Sequence, residues 1–254
     1  MHQACSDLQI IANKPLCDGP IWKLTLSLPD WDHYTPGQFV MLRPMSWQSD
    51  PILPRPFSIA HLDSQGLHFF YHAVGKGTTL LTKEPKGQAV TVWGPLGKGF
   101  KLKNNIPALL LAGGMGIAPF VGLVESWKDC APLEMVFGHR LPLSCYPFKQ
   151  IEQTISATSD EQHSMDDIHA FLQSIDLKLG DYRDRQVLIC GPTPFMAAVQ
   201  KMCLEKNIQG QLSLEKKMAC GVGACLGCVV KDSKGDFIQS CTRGPVFFTH
   251  EVEL

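Results

Sequence analysis

The 254-residue sequence lacks any apolar run close to the roughly 18–20 residues that a membrane-spanning helix needs. It has almost no net charge, −1 with histidine neutral, so its composition does not favour binding to nucleic acid or anionic lipid. The N-terminus, which begins Met1-His2-Gln3-Ala4-Cys5, lacks the basic and apolar regions of a signal peptide. We therefore expect a cytoplasmic protein with neither a membrane nor a nucleic-acid partner.

Cysteine, in contrast, is abundant, with ten residues. Because we expect a cytoplasmic chain, and cytosolic thiols are kept reduced, we expect no disulfide framework. Five scattered cysteines are expected to be ordinary buried or surface thiols. They are Cys5, Cys17, Cys130, Cys145 and Cys203. The other five lie in patterns that indicate chemistry.

The length and the 44% hydrophobic content predict two domains with an appendage. Residues 1–103 contain short alternating runs broken by Gly and Pro, which favour an antiparallel β-barrel or sandwich. Residues 104–212 alternate buried strands with helices, which predicts a doubly wound α/β domain. Residues 213–254 are predicted to form a small metal-dependent segment. The expected fold class is therefore α+β and multidomain.

The C-terminal cysteines follow the pattern C-x4-C-x2-C-x12-C. They are Cys220, Cys225, Cys228 and Cys241. The opening of this pattern is the plant-type spacing of 2Fe–2S ligands. Three glycines in the loop are predicted to adopt positive φ and to direct backbone N–H groups at the sulfurs. They are Gly221, Gly223 and Gly227. A zinc site and four unrelated thiols are the alternatives, although zinc modules usually contain two C-x2-C pairs or a Cys/His pair.

A glycine-rich turn at 113–116 follows a buried strand and precedes a helix, where backbone amides can hold a phosphate. Its core is G-x-G-x-x-P, and His139-Arg140 replaces the usual acidic ribose partner. A second turn, 190–192, ends another buried strand at the edge where parallel sheets bind ligands. A structural turn, and a buried cysteine before a turn, are the respective alternatives.

The β-rich region contains three further motifs. Arg55-Pro56-Phe57-Ser58 places an arginine beside a hydroxyl, a pair that can bind a pyrophosphate and a ring edge. The segment 75–79 has the small residues and hydroxyls of a phosphate cradle. Residues 94–100 form a turn-rich loop. Each motif is weak alone, because clusters of Gly and Pro mostly form turns.

In order, these motifs are R-P-F-S, G-x-G-T, G-P-x-G-x-G-F, G-G-x-G-x-x-P and C-G-P-x-P-x-M. The series resembles the ferredoxin–NADP reductase superfamily over residues 1 to about 210. With the cysteine tail, above all residues 215–228, the whole chain resembles the electron-transfer subunits of type B dihydroorotate dehydrogenase.

The resemblance implies binding residues for FAD, for NAD and for a 2Fe–2S cluster. The implied FAD contacts are Arg55, Pro56, Phe57, Ser58, Phe70, Tyr71, His72, Gly77 and Thr78. The implied NAD contacts are Gly113, Gly114, Gly116, Cys190, Gly191 and Pro192. The four C-terminal cysteines are the implied cluster ligands. His72 stands where many relatives carry arginine.

The resemblance further implies an NAD-linked oxidoreductase subunit of pyrimidine biosynthesis. In this family electrons pass from dihydroorotate through the FMN of a catalytic subunit, the cluster and FAD to NAD+, within a heterotetramer of two subunits of each kind. One alternative is the small subunit of another NAD(P)H-linked complex, of the ferredoxin:NADP oxidoreductase or sulfhydrogenase type. Another is a non-enzymatic redox-sensing or zinc-stabilised interaction protein, which would be colourless.

Overall fold

The computed structural model describes residues 4–181 and 185–254. Residues 1–3 lie outside the described residues. They belong to the N-terminal stretch whose sequence we interpreted as lacking a signal peptide. Two large sheets and one two-stranded sheet make up the β-structure of the described residues. The predicted α+β fold class, with a β-barrel followed by an α/β unit, is confirmed.

The barrel is built from residues at the N-terminal side of the chain. Its elements are β1 (Ala4–Pro15), β2 (Ile21–Leu26), β3 (Phe39–Pro44), β4 (Arg55–Ser58), β5 (His61–Asp63), β6 (Gly66–His72), α1 (Lys76–Leu81) and β7 (Ala89–Leu96). The strands are antiparallel in the order β4-β3-β7-β1-β2-β6-β5. Because side chains alternate along a strand, Leu67, Phe69 and Tyr71 of β6 enter the barrel core. Phe70, between them, packs outside the barrel against Ala118.

The α/β unit and the cysteine-rich segment follow. Their elements are β8 (Ala108–Gly113), α2 (Ala118–Trp127), β9 (Leu133–His139), α3 (Phe148–Glu152), β10 (Ser156–Glu161), α4 (Met165–Gly180), β11 (Gln186–Cys190), α5 (Thr193–Glu205), β12 (Gly210–Ser213), β13 (Val229–Lys231), β14 (Phe237–Gln239), α6 (Ser240–Arg243) and β15 (Val246–Phe248). The sheet order is β10-β9-β8-β11-β12-β15, with only β15 antiparallel. Every residue of the central strand β8 is buried, as a parallel strand covered on both faces requires.

Helix α4 shows how local sequence defines an element. Ser164 caps it, because its hydroxyl accepts a hydrogen bond from Asp167 N (3.1 Å) and Asp167 Oδ2 accepts one from Ser164 N (2.8 Å). Phe171, Ile175 and Leu179 recur every four residues and are buried on one face. None of the helices in the described part of the chain is long and apolar enough to cross a membrane.

The C-terminal segment is tied to the α/β unit, because β15 pairs with β12. The predicted boundary between residues 103 and 104 falls in the connection between β7 and β8. The predicted boundary between residues 212 and 213 falls within β12. The three-domain division stays a prediction.

Cys17 and Cys145 form a disulfide, with their Cα atoms 5.1 Å apart. The expectation that both are ordinary thiols was therefore wrong. Cys17 lies in the turn between β1 and β2, and Cys145 ends a short 3-10 helix after β9. The bond thus joins the barrel to the α/β unit across 128 residues of sequence, a separation that no local spacing indicates. The other three scattered cysteines are free.

Replacing both Cys17 and Cys145 with alanine is expected to lower the free energy of unfolding by about 2–5 kcal/mol, because a cross-link over a long loop restricts the unfolded chain. Thermal unfolding measures the loss, and Cys130→Ala, which removes a free thiol, serves as the control. Alkylation of the denatured, never-reduced wild-type protein should modify eight cysteines. Modification of all ten would show that the disulfide does not form.

Candidate cofactor-binding sites

Arg55, the first residue of β4, lies directly over the backbone of Gly77 at the start of α1. A Cβ atom built on Gly77 would lie 2.6 Å from Arg55 Nε. Arg55 is held there by a hydrogen bond from its Nη1 to Leu53 O (2.8 Å), and its guanidinium lies 5.9 Å from the centre of the Trp47 ring. Gly77 is buried beneath this guanidinium, and an arginine beside the start of a small-residue loop is a combination suited to binding a phosphate group.

Thr78 shapes the same loop. Its Oγ1 accepts hydrogen bonds from Gly75 N (3.1 Å) and Val74 N (3.2 Å) and donates one to Gly75 O (3.1 Å). The hydroxyl therefore holds the turn that brings Gly77 under Arg55. The structure thus places Arg55, Gly77 and Thr78, predicted from separate motifs, at one position.

The remaining predicted flavin residues divide between the two faces of the barrel wall. Phe57 and Tyr71 enter the core with their ring centroids 5.7 Å apart, and the Tyr71 hydroxyl donates to Asn13 Oδ1 (3.0 Å). Phe70 and His72 alternate with Tyr71 along β6 and lie on the other face. Phe57 and Tyr71 can therefore approach a ligand outside the barrel only through their backbone.

Pro56, Ser58 and His72 are half-buried at the barrel surface. Burial lowers the pKa of His72, which favours the neutral imidazole. His72 therefore supplies no permanent positive charge at this position.

The two predicted nucleotide turns lie against each other at the carboxyl ends of β8 and β11. A Cβ atom on Gly116 would lie 2.1 Å from Cys190 O, and one on Gly191 would lie 3.0 Å from Gly113 Cα. Gly114 has φ +51° and faces open space. Glycine is required at Gly116 and Gly191 because a side chain there would separate the turns, whereas at Gly114 the positive φ favours it.

Pro192 completes this arrangement, with its Cδ 3.0 Å from the position of a Cβ on Gly113. Where the barrel meets the α/β unit, Phe70 packs in one hydrophobic cluster with Ala118 and Met115. The face of β6 that carries Phe70 and His72 therefore adjoins the glycine turn. The predicted flavin and nucleotide sites are neighbours.

Two residues beside Cys190 were not predicted. Burial raises the pKa of the Cys190 thiol to about 12; the Glu215 carboxylate raises it further, and a hydrogen bond with Ser213 opposes the rise. Ser213 is opposite Cys190 in the register of β11 and β12. Cys190 is thus a neutral thiol with an acidic neighbour, a pairing that only the order of the strands reveals.

At the end of β9, where an acidic residue usually binds the ribose of a dinucleotide, this chain has His139 and Arg140. His139 is buried, stacks on Phe137 at 5.3 Å and makes a hydrogen bond through Nδ1 to Leu141 O (2.8 Å), so it is a core residue. Arg140 is exposed. The buried Gln162 Nε2 has no hydrogen-bond partner in the described part of the chain, and the sequence analysis had not selected it.

The cysteine loop directs backbone amides at sulfur. Cys225 N donates to Cys220 Sγ, and Gly227 N donates to Cys225 Sγ, both at 3.4 Å. Gly221 and Gly223 have positive φ, +72° and +83°, as predicted.

The expectation of positive φ at Gly227 was wrong, since the left-handed residue is Leu226 (φ +58°). The Leu226 side chain is exposed, so no neighbouring group obstructs this conformation. Gly227 instead approaches Cys225 closely, because a Cβ there would lie 3.5 Å from Cys225 Sγ.

The four C-terminal thiols gather as two pairs. Cys220 and Cys225 interact in the loop, Cys241 arrives from α6 and interacts with Cys228, and Cys220 also acts on Cys241. In the described residues, no three His, Cys, Asp or Glu side chains converge as ligands of a single metal ion. Four cysteine thiolates shared between two irons are the ligand set of a 2Fe–2S cluster, whereas structural zinc draws four ligands to one atom. The chemistry of four neighbouring cysteine thiols therefore fits the ligand set of a two-iron cluster.

The electrostatics of the loop favour a thiolate at Cys220. Burial alone would raise the pKa of Cys220, but hydrogen bonds from the N–H groups of Val222, Cys225 and Ala224 outweigh it and lower the pKa to about 7. Burial and the neighbouring Cys228 raise the pKa of Cys241 to about 12. A bound cation at this site would offset the free-energy cost of ionising Cys241.

The loop sits directly on the barrel. Trp93 Nε1 donates to Cys220 O (3.2 Å), and a Cβ on Gly221 would lie 2.4 Å from Met41 Cγ. Cys228 and Cys241 share a buried cluster with Met41 and residues of β7. The cysteine site is therefore built against the wall of the barrel.

A β-barrel followed by an α/β unit is the fold of ferredoxin–NADP reductases, and this chain adds a cysteine-rich segment to it. The structure of an NADH-dependent reduced ferredoxin–NADP oxidoreductase has a similar fold, with a TM-score of 0.82 and 24% identity over 97% of this chain and 89% of that one. A ferredoxin NADP+ reductase from Neisseria gonorrhoeae, with bound FAD and NADP, has a TM-score of 0.63 and 16% identity over 80% of this chain and 91% of that one.

Residues 215–253 match the iron–sulfur cluster binding domain of dihydroorotate dehydrogenase B. The dihydroorotate dehydrogenase B (NAD(+)) electron transfer subunit of Clostridium acetobutylicum is 35% identical over 86% of each chain. That of a Geobacillus species is 34% identical over 97% of this chain and 98% of its own. The chain belongs to the family of dihydroorotate dehydrogenase B electron transfer subunits.

Substituting Gly77 with alanine is expected to weaken FAD binding by about tenfold or more, because the new Cβ displaces the Arg55 guanidinium and a hydrogen bond to a charged group is worth about 1.5–3 kcal/mol. FAD content and its dissociation constant measure the effect. Gly75→Ala is the matched control, since a Cβ there meets no atom within 4 Å. Equal FAD affinity in the two variants would contradict this role of Arg55.

Proposed function

We propose that this chain transfers electrons between a dihydroorotate-oxidising partner and NAD, with a 2Fe–2S cluster and FAD as its cofactors. When bound, the cluster carries single electrons and the flavin exchanges them for the hydride of a nicotinamide. The single observation that carries the proposal is the packing of the cysteine loop on the same barrel that presents the Arg55 cradle. One chain thereby holds both redox sites together.

The protein residues position and tune these groups. We propose that FAD is held by Arg55, Pro56, Phe57, Ser58, Phe70, Tyr71, His72, Gly77 and Thr78. Phe57 and Tyr71 contribute backbone, whereas Arg55 supplies the charge for the pyrophosphate. The turns 113–116 and 190–192 bind the nicotinamide nucleotide, and the neutral Cys190 thiol avoids placing a thiolate beside it. Cys220, Cys225, Cys228 and Cys241 hold the cluster.

The partner is proposed to dock over the cysteine loop. Val222 and Leu226 are exposed apolar residues of this loop, and Cys225 between them is exposed as well. Exposed apolar side chains beside a redox centre suit a protein partner better than solvent. We propose that this partner is an FMN-containing catalytic subunit, in an assembly of two subunits of each kind.

The proposed working division of the chain is residues 1–103 for FAD, 104–212 for NAD and 213–254 for the cluster. We propose that the complex acts in the cytoplasm and that electrons flow from dihydroorotate to NAD+. Arg140 is exposed, and an arginine at this position can contact the 2′-phosphate of NADPH. Comparing the rates with NADH and NADPH therefore tests which nucleotide the chain prefers.

Replacing Cys225 with serine is expected to remove the cluster and leave FAD bound, because the loop and the Arg55 cradle are separate sites. Iron analysis and the visible spectrum measure the two cofactors independently. Cys130→Ser, which alters a free cysteine away from the loop, should keep both. A full complement of iron in the Cys225 variant would refute the ligand assignment.

The purified chain is expected to oxidise NADH with an artificial acceptor such as ferricyanide, and not to oxidise dihydroorotate. The three proposed sites hold FAD, NAD and the cluster, and the proposal assigns dihydroorotate binding to the partner. Dihydroorotate turnover should appear only when the catalytic subunit is added. Turnover of dihydroorotate by the purified chain alone would overturn the proposed division of labour.

A further inference from the structure

Ser240 carries a hydroxyl that the folded chain leaves without a partner. Its side chain is completely buried, and its Oγ makes no hydrogen bond to any other atom in residues 4–181 and 185–254. Buried polar groups are almost always hydrogen-bonded, so an exception calls for an acceptor outside the polypeptide. The N-cap of α6 is Gln239, so Ser240 is the first residue inside the helix, and its hydroxyl makes no capping hydrogen bond within the described residues.

The backbone of Ser240 lies between two cluster ligands. Ser240 N donates to Cys228 O (3.1 Å), and Cys241 is the next residue in the chain. Both cysteines are buried, and their thiols form the inner pair of the four. The Ser240 backbone is therefore fixed beside the buried pair of cysteines, and its hydroxyl is enclosed by protein there.

Most of the backbone N–H groups that donate to the cysteine sulfurs lie on the loop side of the site, away from the buried pair. The N–H groups of Val222, Ala224 and Cys225 are directed at Cys220, on the loop side. At the buried pair, Cys241 receives a backbone hydrogen bond from Gly223. A further donor there would act on sulfur in a region shielded from water, where electrostatic interactions are strong.

We infer that the Ser240 hydroxyl donates a hydrogen bond to a sulfur atom on the buried side of the cluster and thereby raises its reduction potential. The inference rests on the proposed 2Fe–2S site. A reduced cluster carries one more negative charge than the oxidised cluster, so a donor to its sulfur stabilises the reduced form more. Ser240 is a positioning and tuning residue; it is not a ligand.

The test is a redox titration of the full-length holoprotein, followed by electron paramagnetic resonance of the reduced cluster. A hydrogen bond to a charged group is worth about tenfold in an equilibrium constant. Ser240→Ala should therefore bind a full complement of iron and shift the ratio of reduced to oxidised cluster about tenfold at a fixed potential. That shift corresponds to about 59 mV in the negative direction for a one-electron couple.

Ser240→Thr keeps the hydroxyl and should restore a potential close to that of the wild type. Ser233→Ala, in the exposed turn between β13 and β14, is the control and should leave the potential unchanged. An iron-loaded Ser240→Ala variant with the wild-type potential would overturn the inference while leaving the cluster assignment intact.

If Ser240→Ala loses its iron, the threonine variant decides the matter. Iron retained at the wild-type potential in Ser240→Thr supports the inference, and loss of iron from both variants overturns it in favour of a purely structural role. A wild-type chain without a 2Fe–2S spectrum would instead refute the proposed cluster itself, and with it this inference.

Discussion

The packing of the cysteine loop against the barrel is the contact on which the remaining architecture depends. Gly221 must approach Met41, and Cys220 O must meet Trp93 Nε1, for the loop to lie on β3 and β7. Three ligands then come from one loop, so the fourth must return from elsewhere. The β13–β14 hairpin and α6 bring Cys241 back, and β15 anchors the end of the chain to the α/β sheet. The C-terminal segment therefore bridges both larger units.

Close backbone approach is the common device of the other two sites. Gly77 lies under Arg55, and Gly116 lies against Cys190 O, so in each case the absence of a side chain lets another part of the protein pack directly on the glycine backbone. Such sites depend on the rigidity of the elements that support them. The disulfide between Cys17 and Cys145 adds a covalent connection between the barrel and the α/β unit.

Local patterns predicted the elements that carry a strong period or a strong chemical signature. The short runs of the barrel and the buried strand before the first glycine turn each appear within a few residues of sequence, and the structure has strands there. The assignment of the C-x4-C-x2-C cysteines as cluster ligands stays a prediction. Strand β10 was not predicted, because its exposed residues, from Ser156 to Glu161, show no apolar pattern. It is an edge strand with little to bury, and its pairing with β9 comes from the sheet.

The sequence by itself determined the fold class, the order of the cofactor motifs and the identity of the four cysteines, because residue type and spacing encode these locally. Only the tertiary structure decided that Phe57 and Tyr71 enter the core while Phe70 faces the nucleotide turn. It also paired Cys17 with Cys145 and left the Ser240 hydroxyl buried with no hydrogen-bond partner among the described residues. These outcomes join residues far apart in the chain or depend on what surrounds a side chain. They follow from packing, which spacing does not encode.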